Sequence, residues 1–287
     1  MTQPSSPYSA RLVLTVVVAM TLIVGGDAAA TVLTGSGFPQ TFVAWTRFAV
    51  AAVLLAPFLG LRRSEVAHFL DWRLYLRAGL IVGGIVSILT ALLTEPLANV
   101  FGGFFVGPVV SYFLSAALLG ERITPLRTLL LLGSFAGVLL VVKPGFGMTV
   151  GMAFSLLAGT FYGGYLVATR WLASAFRPRF LLLSQLSIGA VMLSPFAFAD
   201  RPDFTVLALA LVLMSALGSA GGNLLLVLAN RSAPAGVIAP LIYSQLVAAM
   251  AIGWAVFGDW PDLLSFAGLV VIMVGGVSSV WFARQGR

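Results

Sequence analysis

Residues 11–33 read RLVLTVVVAMTLIVGGDAAATVL, a run in which Asp27 is the one acid and Arg11 the one base. Crossing the hydrocarbon core of a bilayer takes about 20 consecutive apolar residues, so this stretch is long enough to span. Ala28-Ala29-Ala30 offers the small residues of a signal-peptide cleavage site. The run is longer than a signal-peptide core, however, and many similar runs follow it, so it is expected to be an uncleaved first membrane helix.

Composition extends that expectation to the whole chain. Of 287 residues, 60% are hydrophobic and 9% charged, and the mean hydropathy is +1.06. Soluble domains are about half apolar and one-quarter charged, and a soluble fold cannot hide this much apolar surface. The expected fold class is an all-α integral membrane protein, with room for about ten spans and little else. The net charge of +7 does not point to nucleic acid, because the basic residues lie between apolar runs and not on one water-soluble face. With no cysteine there is no disulfide, thiolate metal site or cysteine nucleophile. No cofactor and no metal are expected.

Apolar runs separated by turn chemistry give spans near 11–33, 39–60, 73–94, 96–119 and 125–143, then near 148–170, 179–199, 204–230, 233–257 and 262–283. The punctuation is Gly35-Ser36-Gly37-Phe38-Pro39, Glu95-Pro96, Gly120-Glu121-Arg122 before Pro125, Lys143-Pro144-Gly145, and Gly258-Asp259-Trp260-Pro261. Basic residues are retained on the cytoplasmic side of short loops. With the N-terminus inside, Arg11, Arg62, Arg63, Arg73, Arg77, Arg122, Arg127, Arg170, Arg177, Arg179, Arg231, Arg284 and Arg287 fall in the cytoplasm, and Lys143 and Arg201 outside. That split requires an even number of spans with both termini cytoplasmic. Arg47 alone stays within a span.

Sliding the chain against itself by about 138 residues aligns Gly25-Gly26 with Gly163-Gly164, Pro57-Phe58 with Pro195-Phe196, and Gly83-Gly84 with Gly221-Gly222. The same shift aligns Pro96 with Pro234, Gly120-Glu121 with Gly258-Asp259, and Gly137 with Gly275. Glycine and proline set helix ends and close packing, which a duplication preserves longest. Two units are expected, residues 1–145 and 146–287. Each holds five spans, an odd number, so the second enters the membrane the other way round. Inverted halves enclosing a midplane site are the architecture of secondary transporters. Duplication that merely stabilised a bundle is the other reading.

Several of these motifs resemble those of a known family. Trp45-Thr46-Arg47-Phe48 in the second span, Leu119-Gly120-Glu121-Arg122-Ile123-Thr124-Pro125 after the fourth, Gly137-Val138-Leu139-Leu140-Val141-Val142-Lys143-Pro144-Gly145 closing the fifth, and Phe257-Gly258-Asp259 after the ninth resemble the EamA family of the drug/metabolite transporter superfamily. The Gly-Glu turn is its most specific element, and Asp259 stands where the family usually has glutamate. The resemblance implies metabolite export through a central cavity by a multi-pass protein of the cell (inner) membrane. It points to the YddG-type branch of amino-acid exporters.

Ionisable groups inside spans are costly and mark function by default. Asp27 and Arg47 lie at similar depth in neighbouring antiparallel spans, as a gate, a proton-linked switch or a permanent ion pair. The repeat maps them onto Tyr165 and Gln185, which carry no charge, so the pair is not expected to be duplicated. Ser215, Ser219, Asn223 and Asn230 share one face of the eighth span, and Gly83, Ser87, Thr90 and Thr94 one face of the third. Such stripes line a cavity or pack helices tightly. Asn223 leads among them because its amide serves both an ammonium and a carboxylate. Gly102 aligned with Pro240, together with Gly107-Pro108, interrupts the fourth and ninth spans, and such interruptions are tolerated where they face protein or a wet cavity. Tyr243 shares the face of Pro240 and Gln245 points away. Asn99 and Tyr162 complete the lining candidates. The Phe101-Gly102-Gly103-Phe104-Phe105 run is read as lipid-facing or packing, with an aromatic lining as the other reading, and His68 as a solvated loop residue.

An intramembrane enzyme needs a nucleophile with a base, paired carboxylates or a metal cluster, and this sequence has none of these patterns. A channel is a stronger rival than an enzyme, although no ring of charges or filter-like repeat is visible in the sequence. Phosphorylated solutes would demand several buried cations, and only Arg47 is in view. The expected partners are therefore the lipid bilayer and a neutral or zwitterionic small molecule, foremost an aromatic or other neutral amino acid, with multidrug efflux second. Proton coupling through Asp27 and simple facilitated diffusion both remain open.

Overall fold

The computed structural model describes residues 10–121, 123, 125–143, 147–197, 205–232 and 241–285. Of the positions singled out above, Arg122, Thr124, Pro144, Gly145, Arg201, Pro234, Pro240 and Arg287 lie outside the described residues, as do the side chains of Arg127, Asn230, Arg231 and Arg284. The described chain is helical: α1 (Ala10–Gly35), α2 (Gln40–Leu59), a 3₁₀ segment (Arg63–Leu70), α3 (Trp72–Ala91), α4 (Leu97–Phe104), α5 (Val106–Leu119) and α6 (Pro125–Val142). There follow α7 (Val150–Leu172), α8 (Pro178–Ala197), α9 (Val206–Ser232), α10 (Ser244–Ile252) running into a π-helical turn (Gly253–Phe257), and α11 (Leu263–Gln285). Seven of these stretches are long and apolar enough to cross a bilayer, counting α4 and α5 as one path from Leu97 to Leu119. The apolar stretches Leu131–Val142, Ser244–Phe257 and Leu263–Gly275 are shorter.

Helix ends follow the turn chemistry. Gly60, Gly120 and Gly258 close α2, α5 and the π-helical turn with φ of 61°, 67° and 72°. A side chain is strained in that left-handed region, which is why both copies of the Gly-acid turn keep glycine there.

Pairing between helices obeys one exchange rule. α1 packs along α9 and α3 along α7; α2 touches α9 while α3 touches α8; α2 lies on α8 and α6 on α11. Swapping the two halves converts the first pair of each statement into the second and returns the last two unchanged. Small residues allow these approaches in a setting where lipid is as apolar as leucine. A methyl on Gly222 would stand 2.6 Å from the Ala19 carbonyl oxygen, and one on Gly218 2.7 Å from that of Leu22. Gly137 and Gly268 face each other's carbonyl oxygens at 2.6 Å in the same way.

The path from Leu97 to Leu119 turns at Phe105, between the two interruptions read from the sequence. Pro108 has no N–H for the Phe104 carbonyl, which lies instead against Gly159, where an added methyl would sit 2.4 Å from it. Gly102, expected at the interruption, lies inside α4 and packs on Val141 and Leu269. In the second half the turn before α10 falls at Tyr243, the residue that the 138-residue shift aligns with Phe105.

Candidate functional site

Phe105 and Tyr243, equivalent in the two halves, stack on one another with ring centroids 4.9 Å apart and planes 29° apart. Both are buried. Phe104 continues the contact to Tyr162 at 5.0 Å, and Tyr162 stacks on Tyr165 at 5.9 Å. An aromatic ladder therefore runs from the contact between the halves along α7. Phe101 and Phe105 are buried, so this run serves packing and the ladder and does not face lipid.

Two polar nodes are built inside the bundle, and the second includes Tyr165, the last ring of the ladder. In the first, Arg47 of α2 donates from Nη1 to Asp27 Oδ1 of α1, and both side chains are 5% exposed. Among the described residues, Arg47 Nε and the Ser215 hydroxyl of α9 are buried without a hydrogen-bond partner. Gly26, next to Asp27, abuts the Ser215 carbonyl, which brings α1, α2 and α9 to one place. In the second node, Arg77 of α3 donates from Nε to Thr169 Oγ1 at 2.8 Å, from Nη1 to the Leu181 carbonyl at 2.8 Å, and from Nη2 to the Tyr165 hydroxyl at 2.9 Å. Tyr165 in turn donates to Gln185 Oε1 at 2.8 Å. The guanidinium lies 4.8 Å from the centre of the Tyr165 ring. This node joins α3, α7 and α8.

The shift that aligns the halves carries Asp27 to Tyr165, Arg47 to Gln185 and Arg77 to Ser215. The two nodes are thus one three-helix arrangement written twice, with its cation on a different member. This corrects one expectation: Arg77, assigned from the sequence to the cytoplasmic side, is 4% exposed inside α3. The counterparts of Asp27 and Arg47 in the second half are hydrogen-bonded to each other and uncharged. Applying the shift to Ser215, already marked as part of a polar stripe, would have pointed to Arg77 from the sequence.

The remaining candidates are dispersed. Asn223 is exposed and donates to the Ser219 carbonyl of its own helix at 2.8 Å; Ser219 is half-buried. Ser87 is buried, and half-buried Thr90 donates to the Val86 carbonyl within α3. Asn99 is half-buried with Oδ1 unpartnered. Pro108 is half-buried in the first turn of α5. Of the lining candidates, Tyr162 and Tyr243 are brought together, through Phe104 and Phe105. A separate cavity of about 250 Å³ is bordered by Thr31, Thr94, Glu95, Phe257 and Asp259 among others, so of the third-span stripe it takes Thr94.

Loops are tied to one another at both ends of the bundle. Arg177 pairs with Glu65 at 2.6 Å and Arg170 with Glu121 at 3.3 Å, at the arginine-rich end. Lys143 pairs with Asp262 at 2.6 Å, and Thr149 with Glu95, at the other. Hydrogen bonds from Arg177 hold the Glu65 carboxyl down to about 2, and those from Lys143 hold Asp262 well below the carboxylate range.

The sequence model of the EamA-like transporter family matches residues 11–143 and, starting 138 residues later, 149–281. A riboflavin transporter of Brucella anthropi is 24% identical over 264 residues, covering 88% of this chain and 90% of the relative. The pseudopaline exporter CntI of Pseudomonas aeruginosa is 28% identical over 186 residues, 64% of this chain and 66% of the relative. One crystal structure superposes with a TM-score of 0.66 at 20% identity, over 97% of this chain and 99% of the other, which speaks to the fold alone. The curated relatives thus include a riboflavin and a pseudopaline carrier, and the expectation of the YddG-type branch finds no specific support among them.

Proposed function

The chain belongs to the EamA-like transporter family, a membrane transporter of small molecules, and from that premise we propose that it carries flat aromatic metabolites out of the cell by alternating access. Ten spans, residues 1–145 and 146–287 as oppositely inserted halves, and both termini in the cytoplasm of a cell with this protein in its inner membrane complete the reading. The two family matches and the exchange rule in helix packing support it, as does the fact that, among the described residues, the bridges of Arg177 with Glu65, Arg170 with Glu121 and Lys143 with Asp262 each join segments assigned to the same side.

The observation that carries the substrate class is the ladder from Tyr243 through Phe105, Phe104 and Tyr162 to Tyr165. The rings meet by stacking at Phe105–Tyr243 and Tyr162–Tyr165 and edge-on or tilted at Phe104, and each ring contact with a flat solute is worth about 0.5–1.5 kcal/mol beyond its area. Parting of Phe105 from Tyr243 would open the space between the halves, with Asn223, Ser219, Ser87, Thr90 and Asn99 supplying polar contacts around it. Aromatic amino acids fit these terms. A riboflavin-like heteroaromatic is the second reading, favoured by the relative named for that vitamin. General multidrug efflux is the third.

The test is uptake into proteoliposomes of labelled tryptophan, phenylalanine, leucine and riboflavin at pH 6, 7 and 8. Saturable uptake of the ring-bearing solutes above leucine is expected. Equal rates for leucine and the aromatics would refute the ladder as the selective element. A rate that rises with an imposed proton gradient would assign coupling, with Asp27 the group to substitute next.

A further inference from the structure

Within the described residues of the spanning helices the buried charges do not balance; the fourth buried charge, Glu65, lies in the 3₁₀ segment and pairs with Arg177. Asp27 and Arg47 neutralise one another, whereas Arg77, 4% exposed, has no carboxylate within ion-pair reach among the described residues. Its guanidinium is held by three oxygens, of Thr169, Leu181 and Tyr165, which satisfy hydrogens but bring no negative charge. Arg77 sits five residues into α3, about 8 Å along the helix, at the arginine-rich end and against the last ring of the ladder. An ionised side chain at that depth costs free energy, and a cation with neutral partners is stabilised by any anion that replaces them, since charge-assisted hydrogen bonds are about twice as strong as neutral ones.

We propose that Arg77 is the docking point for a carboxylate of the transported solute, on the cytoplasmic side, with Tyr165, itself hydrogen-bonded to Gln185, holding the guanidinium when no anion is bound. The inference rests on the aromatic-solute reading and adds the second half of the solute: a flat ring that stacks on Tyr162 and Tyr165, joined to an acid that reaches Arg77. The ring of Tyr165 and the guanidinium lie together, so one solute of amino-acid size engages both. In the other node the equivalent position is Ser215 and the cation is already paired, so anion docking belongs to one end only. The arrangement is directional, as capture from one side of the membrane requires.

A matched set of indoles separates the ring from the acid: indole and tryptamine lack the carboxylate, and tryptophan and indole-3-acetate carry it. Ligand-induced thermal shifts of the purified protein should rank the two acids above the other two by about ten-fold in apparent affinity, the value of one charge-assisted hydrogen bond. Arg77→Gln should abolish that preference and Arg77→Lys retain part of it. Tyr165→Phe removes a competing neutral partner while keeping the ring, and should raise the preference by a few-fold, an effect that damage to the fold does not produce. Four equal shifts in the wild type, or an acid preference that survives Arg77→Gln, would overturn the assignment of Arg77 and leave the aromatic reading standing. No shift with any of the four would overturn both.

Discussion

The Asp27 node and the Arg77 node occupy equivalent positions in the two halves yet solve opposite electrostatic problems. In the first a carboxylate meets the guanidinium, and the charges cancel within the protein. In the second three neutral acceptors surround the guanidinium, and its charge is left for the environment to balance. Duplication supplied two copies of a three-helix junction, and divergence at Asp27/Tyr165, Arg47/Gln185 and Ser215/Arg77 made one a closed ion pair and the other an open cation. Helix packing at the two junctions follows one rule, so the difference lies in side-chain chemistry and not in backbone architecture.

The largest predicted effect falls on the closed pair. Asp27→Asn leaves a buried Arg47 unpaired and should cost about 3–5 kcal/mol of stability, read from thermal unfolding in detergent. The double variant Asp27→Asn/Arg47→Gln should recover most of that loss, and should keep transporting if the pair only pins helices. Arg77→Gln is expected to cost less, about 1–3 kcal/mol, because it removes hydrogen bonds together with an unpaired charge. If it matched Asp27→Asn, the contrast between the nodes would be wrong.

Smaller effects lie outside the nodes' charges. Glu65 has its carboxyl held down to about 2 by Arg177, below the ordinary value near 4.5, so its bridge contributes stability in full above that ordinary value and loses it as pH falls through about 2. The stability difference between wild type and Glu65→Gln should therefore be constant from pH 6 to 8 and shrink at pH 3. A difference that grew on acidification would contradict the bridge. Ser215→Ala should be nearly neutral, because the hydroxyl it deletes has no partner. A loss beyond about 1 kcal/mol would mean that the hydroxyl is satisfied, by a bound water for instance.

Much of the architecture was legible because it rests on periodicity and punctuation. The runs of apolar residues and the glycines at 60, 120 and 258 mark helix ends that the backbone confirms by its positive φ. Counting to the helix ends puts Asp27 and Arg47 at one depth, and they are hydrogen-bonded. The turn at Phe105 falls between the two interruptions read from the sequence, Gly102 and Gly107-Pro108; glycine signals both a break and a close approach, and here Gly102 provides the approach of α4 to Val141. Arg77 was assigned to the cytoplasmic side because arginine near a helix start usually reaches for water. What holds it inward is a set of acceptors from α7 and α8, distant in sequence and invisible to any local pattern. Asn223, favoured for its amide, bonds to its own helix; a one-dimensional stripe does not reveal which neighbour it faces.

Trans-stimulation in proteoliposomes tests the carrier account most directly. With saturating unlabelled tryptophan sealed inside, labelled tryptophan added outside should enter faster than into empty vesicles and reach a transient overshoot, because each half-cycle returns a loaded site. Flux that rises linearly with concentration and ignores the internal solute would contradict two halves that open by turns, and would leave a pore in their place.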